Sequence, residues 1–199
     1  MATKKPSGLD RRKVVAALLA DRGDALVVTG LGSPTYDTYA AGDHDLNFYL
    51  WGAMGGAVMA GLGLALAQPK RRVLVITGDG EMLMGIGSLA TVACEAPKNL
   101  AIAVIDNGHY GETGMQRAHT ARGVDLAGIA KAAGFKSATT ISTMSAVQSW
   151  LPAWHKKAGP VFADIKVAAT PAPMRLPLRD GTAIKHRFRS ALLGADAIK

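Results

Sequence analysis

Two stretches decide the fold: Val73-Leu74-Val75-Ile76-Thr77-Gly78-Asp79-Gly80 and Leu100-Ala101-Ile102-Ala103-Val104-Ile105-Asp106-Asn107-Gly108. Each is an apolar run rich in β-branched residues, without polar alternation, which is the pattern of a strand buried on both faces. Each stops abruptly at small and acidic residues. Between them, a helix over Met84 to Glu95 and the turn Pro97-Lys98-Asn99 make a crossover of the length that joins two parallel strands. Side chains just past such strands meet at the carboxyl edge of the sheet, where open α/β sheets bind ligands.

The flanking sequence repeats this alternation. Asp10 is placed to cap a helix over Arg11 to Arg22, and Ala25 to Thr29 reads as a strand closed by the turn Gly30-Leu31-Gly32-Ser33-Pro34. Gly52 to Ala67 reads as a buried, glycine-rich helix. Further on, Leu126 to Ala133 reads as a helix stopped by Gly134, Ser137 to Ile141 as a strand, Ser145 to Lys157 as a helix and Val161 to Val167 as a last strand. The pattern predicts an α/β fold: a doubly wound, mainly parallel sheet with helices on both faces, in one domain spanning 1–199. Met1 to Leu9 reads as a flexible polar start. The tail 168–199 holds Pro171, Pro173 and Pro177 and six basic residues against two acidic ones, and reads as an arm outside the sheet.

Composition narrows the functional classes. With 49% apolar and 19% charged residues the chain is an ordinary globular one. The lone Cys94, among helix-forming residues, reads as a small core residue. A single cysteine excludes an internal disulfide, a CxxC zinc site and a cysteine-ligated cluster, so the chain reads as cytoplasmic. Trp51 to Ala67 is apolar for 17 residues, but five are glycine and the run is short of the ~20 residues of a membrane span. The net charge of +8 is dispersed, with no aromatic platform interleaved, so no nucleic-acid partner is expected. An anionic small ligand or an acidic partner accounts for it equally well.

Asp79 and Asn107 lie 28 residues apart, each just beyond a buried strand. Singly, one reads as a turn residue and the other as a helix cap. As a pair at one sheet edge, a carboxylate and an amide oxygen make a hard, incomplete oxygen site. Such a site suits Mg²⁺ shared with a phosphate. Gly78 and Gly80 leave the backbone beside Asp79 bare, so that its N–H groups can face an anion.

Gly78-Asp79-Gly80 followed by Asp106-Asn107 resembles the GDG…NN signature of thiamine-diphosphate enzymes, with Asp106 in place of the usual first Asn. The resemblance implies thiamine diphosphate and Mg²⁺ as cofactors, the ion being held by Asp79, Asn107 and the backbone carbonyl of His109. Trp51-Gly52-Ala53-Met54-Gly55 is similar to the family's G-S-M-G segment. Met54 would then wedge between the two cofactor rings and the Gly52 carbonyl would receive the 4′-amino group; the alternative is a gap-filling core methionine. Tyr110-Gly111-Glu112-Thr113-Gly114-Met115-Gln116 resembles the run found in the small sulfopyruvate and phosphonopyruvate decarboxylases, and in that group Gly32 and Ser33 approach the diphosphate. In all, the resemblance covers about residues 25–167. Glu81 departs from the Ser or Ala common beside the diphosphate, and an acid there must point away or cap backbone N–H groups.

In the family, a glutamate on a separate pyrimidine-binding domain activates the cofactor, and 199 residues leave no room for that domain. The resemblance therefore implies a hetero-oligomer with a pyrimidine-domain partner that supplies the glutamate, acting on an anionic 2-oxo acid. Here Glu112, His119 or Tyr110 would face the substrate, with Arg117 and Arg122 as attractors of its charge. His44, His155 and His186 have no company that argues for chemistry. Three other readings stay open: carboligation or aromatic 2-oxo acid decarboxylation with the same cofactor, a nucleotide-binding module, and a scaffold that has lost catalysis. The nucleotide reading rests on Gly61-Leu62-Gly63, which lies inside a helical run and not after a strand.

Overall fold

The computed structural model describes residues 8–156 and 159–198. Helix α1 (Arg11–Leu19) leads through strand β1 (Leu26–Thr29), helix α2 (Ser33–Ala40) and strand β2 (Asn47–Tyr49) to helix α3 (Ala57–Ala67). Strand β3 (Val73–Gly78), helices α4 (Asp79–Met84) and α5 (Ser88–Glu95) and strand β4 (Leu100–Asp106) form the central crossover. A small antiparallel pair, β5 (His109–Tyr110) and β6 (Gln116–Arg117), precedes helix α6 (Leu126–Ala133), strand β7 (Ser137–Ile141), helix α7 (Met144–Lys156), strand β8 (Val161–Lys166) and helix α8 (Gly181–Leu193).

Six strands form one sheet in the order β2-β1-β3-β4-β8-β7, with every pair parallel. The two stretches quoted first are neighbours at its centre and buried apart from the half-buried Gly78 and Asn107. Their side chains alternate between two cores. Val73, Val75, Leu100, Ile102 and Val104 meet α3, α5 and α6 on one face. Leu74, Ile76, Ala101, Ala103 and Ile105 meet α1 and α7 on the other. Each of these valine, leucine and isoleucine side chains removed from water stabilises the fold by roughly 1.5–3 kcal/mol before conformational entropy is charged against it. The doubly wound architecture is therefore as expected, and Asp10 and Gly134 cap α1 and α6 as read.

Several elements differ from the sequence reading. The single helix over Met84 to Glu95 is two helices, broken at Gly85 to Gly87, and the first begins at Asp79. The turn at Gly32 to Pro34 opens α2, because Gly32 takes a positive φ of 84° and Pro34 is pre-set for a first helical turn. The helix read from Gly52 starts at Ala57 and is buried on one side only, with Met59 and Leu66 exposed. Cys94 is exposed, not a core residue, since the face of α5 that meets the core carries Leu89 and Val92. Of the flexible start read over residues 1–9, residues 1–7 lie outside the described residues, while Leu9 bridges Val167.

The tail is an arm only as far as Asp180. There α8 begins and covers edge strand β2, with Phe188 edge-on to Phe48 at 5.5 Å. Proline and charge in the sequence mask its amphipathic pattern. Asp43 takes hydrogen bonds from Arg187 and from the Tyr49 hydroxyl, both at 2.7 Å. Burial alone would raise the Asp43 pKa, but these bonds outweigh it and hold the carboxyl below its usual value. A depressed carboxylate contributes stability above its unfolded pKa and loses it as pH falls through the folded value. The docking of α8 is therefore expected to weaken below about pH 4, near the unfolded carboxylate pKa. Hydrogen exchange in α8 across pH 5 to 3 measures this, and Asp43→Asn should flatten the profile. An unchanged profile in that variant would assign the acid sensitivity elsewhere.

Candidate functional site

The register that pairs Gly78 with Ile105 and Asp106 with Lys166 carries the ends of β3, β4 and β8 to one row at the carboxyl edge. Asp79 is 2% exposed there, and the Thr120 hydroxyl lies 2.9 Å from its Oδ2 and 3.0 Å from Oδ1 of Asp106. Burial, reinforced by the nearby Asp106 charge, pushes the Asp79 pKa up to about 6. Asp106 also accepts the Gly108 N–H at 2.8 Å and pairs with Lys166, which reaches Asp164 at 2.8 Å. An uncompensated buried carboxylate beside another is costly, and a cation at Asp79 removes that cost.

Above this row opens a cavity of about 410 Å³. One wall is the start of α2, with Gly32, Ser33 and Pro34; the others hold Met54 and Met84, then His109 to Thr113 and Gln116. The Tyr110 ring lies so close over Gly80 that a Cβ there would come within 2.6 Å of it. Glu112 lies against Gly32, where a Cβ would meet it at 3.1 Å, and accepts the Tyr36 hydroxyl at 3.1 Å. Glycine at both places lets these side chains pack directly on the backbone.

Of the expected cofactor residues, Gly32, Ser33, Met54, Gly78, Asp79, Gly80, Glu81, Asn107, Tyr110 and Gly111 all line this cavity, and Glu112 joins them. Glu81 is bound to Thr77 Oγ1 at 2.7 Å, faces the amides of Ala57 and Gly55, and fills the space that a side chain on Gly30 would need. Burial raises its pKa. Two expected residues are not in the lining. Gly52 is exposed on the approach to α3, and His119 is exposed outside the cavity, its Nδ1 3.3 Å from the Tyr110 hydroxyl. Arg117 is exposed and holds the Ala121 carbonyl, and Arg122 stands outside the lining. The His109 ring donates to the Asn107 carbonyl at 2.8 Å, while the Asn107 side-chain oxygen accepts the His109 N–H at 2.9 Å. Sequence reasoning missed Tyr36, Met84, Thr120 and Lys166. None sits in a recognisable motif, and only the sheet register brings Lys166 to Asp106.

Among the described residues no three His, Cys, Asp or Glu side chains cluster as a metal site. The three residues of the expected donor set, Asp79, Asn107 and His109, all line the cavity, and would offer one carboxylate, one amide and a backbone carbonyl. That set fits a hard cation completing its shell from phosphate and water. No described helix is long and apolar enough to cross a membrane.

Residues 32–165 match the family model described as thiamine pyrophosphate enzyme, C-terminal TPP binding domain. The chain belongs to this family. Within it, the chain is 35% identical over 187 residues to sulfopyruvate decarboxylase subunit beta of Methanothermobacter thermautotrophicus, covering 94% of this chain and 97% of that one. It is 41% identical over 145 residues to sulfopyruvate decarboxylase of Methanosarcina acetivorans, covering 73% of this chain but only 37% of the relative. Among solved structures, the thiamine diphosphate-dependent 4-hydroxybenzoylformate decarboxylase of Rhodococcus jostii RHA1 superposes with a TM-score of 0.70 at 20% identity, over 86% of this chain and 35% of that chain. At that identity the superposition speaks for the fold alone. All the motifs read from the thiamine pyrophosphate enzymes lie within the matched span.

Proposed function

We propose that this chain is the diphosphate- and Mg²⁺-binding subunit of a thiamine-diphosphate-dependent decarboxylase, and that its substrate is a 2-oxo acid with a second anionic group, as in sulfopyruvate. The observation that carries the proposal is the meeting of Asp79 and Asn107 at the floor of a cavity walled by Gly32, Gly80, Met54 and Glu112. The name borne by the Methanothermobacter relative, which the chain matches almost end to end, supports the substrate class.

In this reading Asp79, Asn107 and the His109 carbonyl would hold the ion, and the Gly32, Ser33 and Gly80 backbone would contact the diphosphate. Met54, 41% exposed at the cavity, would pack against the cofactor rings. Thiamine diphosphate, when bound, supplies a nucleophilic carbon and an electron sink for a 2-oxo acid. Glu112, fixed by Tyr36, is placed to hold a proton at the cavity wall. His119 acts at one remove, by orienting Tyr110. A partner with a pyrimidine-binding domain supplies the activating glutamate. The exposed methionines Met54, Met84 and Met115 suit a surface that such a partner covers.

The test is capture of the tagged chain from native lysate with thiamine diphosphate and Mg²⁺, followed by CO₂ release assays with sulfopyruvate, phosphonopyruvate and benzoylformate. A stoichiometric partner and turnover of the anionic substrates are expected. Decarboxylation by the chain alone would remove the partner from the proposal, and preference for benzoylformate would overturn the substrate class. Met54→Ala is expected to leave the melting temperature unchanged, since the side chain is exposed, and to lower the rate roughly a hundredfold by misplacing the reacting groups. An unchanged rate would return Met54 to a packing role.

A further inference from the structure

Thr120 sits between two carboxylates but has one hydroxyl proton, so it donates to one of them at a time. Asp106 is already served by the Gly108 N–H and by the Lys166 ammonium. The Asp79 carboxylate faces the backbone N–H groups of Asp79 and Asn107 but no cation, and Thr120 is its one side-chain donor among the hydrogen bonds of the described residues. Because Lys166 neutralises Asp106 and no side-chain cation reaches Asp79 among the described residues, the Thr120 proton goes to Asp79 and fixes one oxygen of that carboxylate.

Thr120 also closes the loop 108–123. Within that loop, β5 pairs with β6, the Ala118 N–H donates to the Gly108 carbonyl at 2.7 Å, and Tyr110 meets His119. Gly108 lies so close to Ala121 that a Cβ on it would come within 3.0 Å. These contacts tie the loop into one piece, which includes the Tyr110 ring over Gly80.

We propose that Thr120 is a positioning residue that ties the loop bearing Tyr110 and Glu112 to the Asp79 carboxylate, so that seating a divalent cation and ordering this loop are coupled. The cation half of the proposal rests on the reading of Asp79 as an ion ligand. Asp106, the residue that departs from the family signature, then serves as the anchor that takes Lys166 and leaves Thr120 to Asp79.

The experiment compares Thr120→Val, which keeps the shape without the hydroxyl, with Thr120→Ser, which keeps the hydroxyl, in the full chain with the subunit it captures. Mn²⁺ with thiamine diphosphate is titrated by electron paramagnetic resonance, and amide exchange across residues 108–123 is followed with and without Mn²⁺. The valine variant should bind Mn²⁺ about tenfold more weakly, as loss of an outer-shell partner does. It should also exchange faster throughout the loop, and the serine variant should restore both. Wild-type Mn²⁺ affinity together with unchanged exchange in the valine variant would overturn the proposal. If the wild type itself takes up no Mn²⁺, the reading of Asp79 fails, and the exchange contrast between valine and serine still decides the tether. Should circular dichroism show the valine variant unfolded, Thr120→Ala is judged by the same two readouts.

Discussion

Asp79→Asn is expected to stabilise the free chain while disabling the loaded one. Asp79 is almost fully buried beside Asp106, and both burial and that charge penalise its ionised form, holding its pKa up to about 6. Asparagine keeps the shape and can still accept the Thr120 hydroxyl, but it removes the like-charge penalty. Near neutral pH the metal-free variant should gain about 1 kcal/mol, seen as a rise of roughly 2–4 °C in melting temperature for a chain of this size. In the same variant the Mg²⁺-dependent affinity for thiamine diphosphate should fall by roughly a hundredfold, because a hard cation loses its only carboxylate ligand. Opposite signs for stability and binding are the mark of a functional carboxylate. A fall in melting temperature would make Asp79 a structural turn residue, and an unchanged affinity would place the cation elsewhere.

Gly85→Ala should cost stability and cofactor affinity together. A Cβ at Gly85 would fall onto the Gly55 carbonyl oxygen and come within 3.0 Å of its carbon and Cα. These are backbone atoms, so no rotamer change relieves the overlap, and the segment of Gly55 has to shift. That segment carries Met54 into the cavity and turns the amides of Gly55 and Ala57 towards the buried Glu81. Overpacking of this kind costs roughly 2 kcal/mol, or about 5 °C here. The apparent affinity for thiamine diphosphate should fall about tenfold, the equivalent of ~1.4 kcal/mol. Gly87→Ala, where a Cβ meets nothing within 4 Å, is the control and should be neutral in both measurements. If Gly85→Ala matched that control, the close packing of the Met54 segment on α4 would not matter to the site.

The parts of the site that are legible in the sequence share one property: their chemistry follows from position along a strand. Asp79 and Asn107 end two uninterrupted apolar runs, and a parallel sheet brings such ends to one edge whatever else the chain does. Glu81 reads as an acid that must point away from a phosphate or cap backbone N–H groups, and in the structure it binds Thr77 and faces the amides of Gly55 and Ala57. The features that the sequence hides depend on partners distant along the chain. The break between α4 and α5 exists because Gly85 must pass under Gly55, which no local propensity reports. The exposure of Cys94 depends on which face of α5 meets the sheet. Helix α8 is hidden because its apolar side is completed by Phe48 and its polar side by Asp43.

By itself, then, the sequence determined the parallel α/β sheet and the placing of Asp79 and Asn107 just past two of its buried strands, side by side or nearly so. Hydrophobic runs and glycine stops are short-range signals, and the right-handed crossover carries the strand ends to one edge of the sheet, while strand order decides which strands are neighbours. Only the tertiary structure decided that Lys166 neutralises Asp106, that Thr120 reaches Asp79 from a loop 41 residues further on, and that His119 and Gly52 stand outside the cavity. Those outcomes depend on strand order and loop closure. Both are settled by burial summed over the whole molecule, and no single segment of the chain records it.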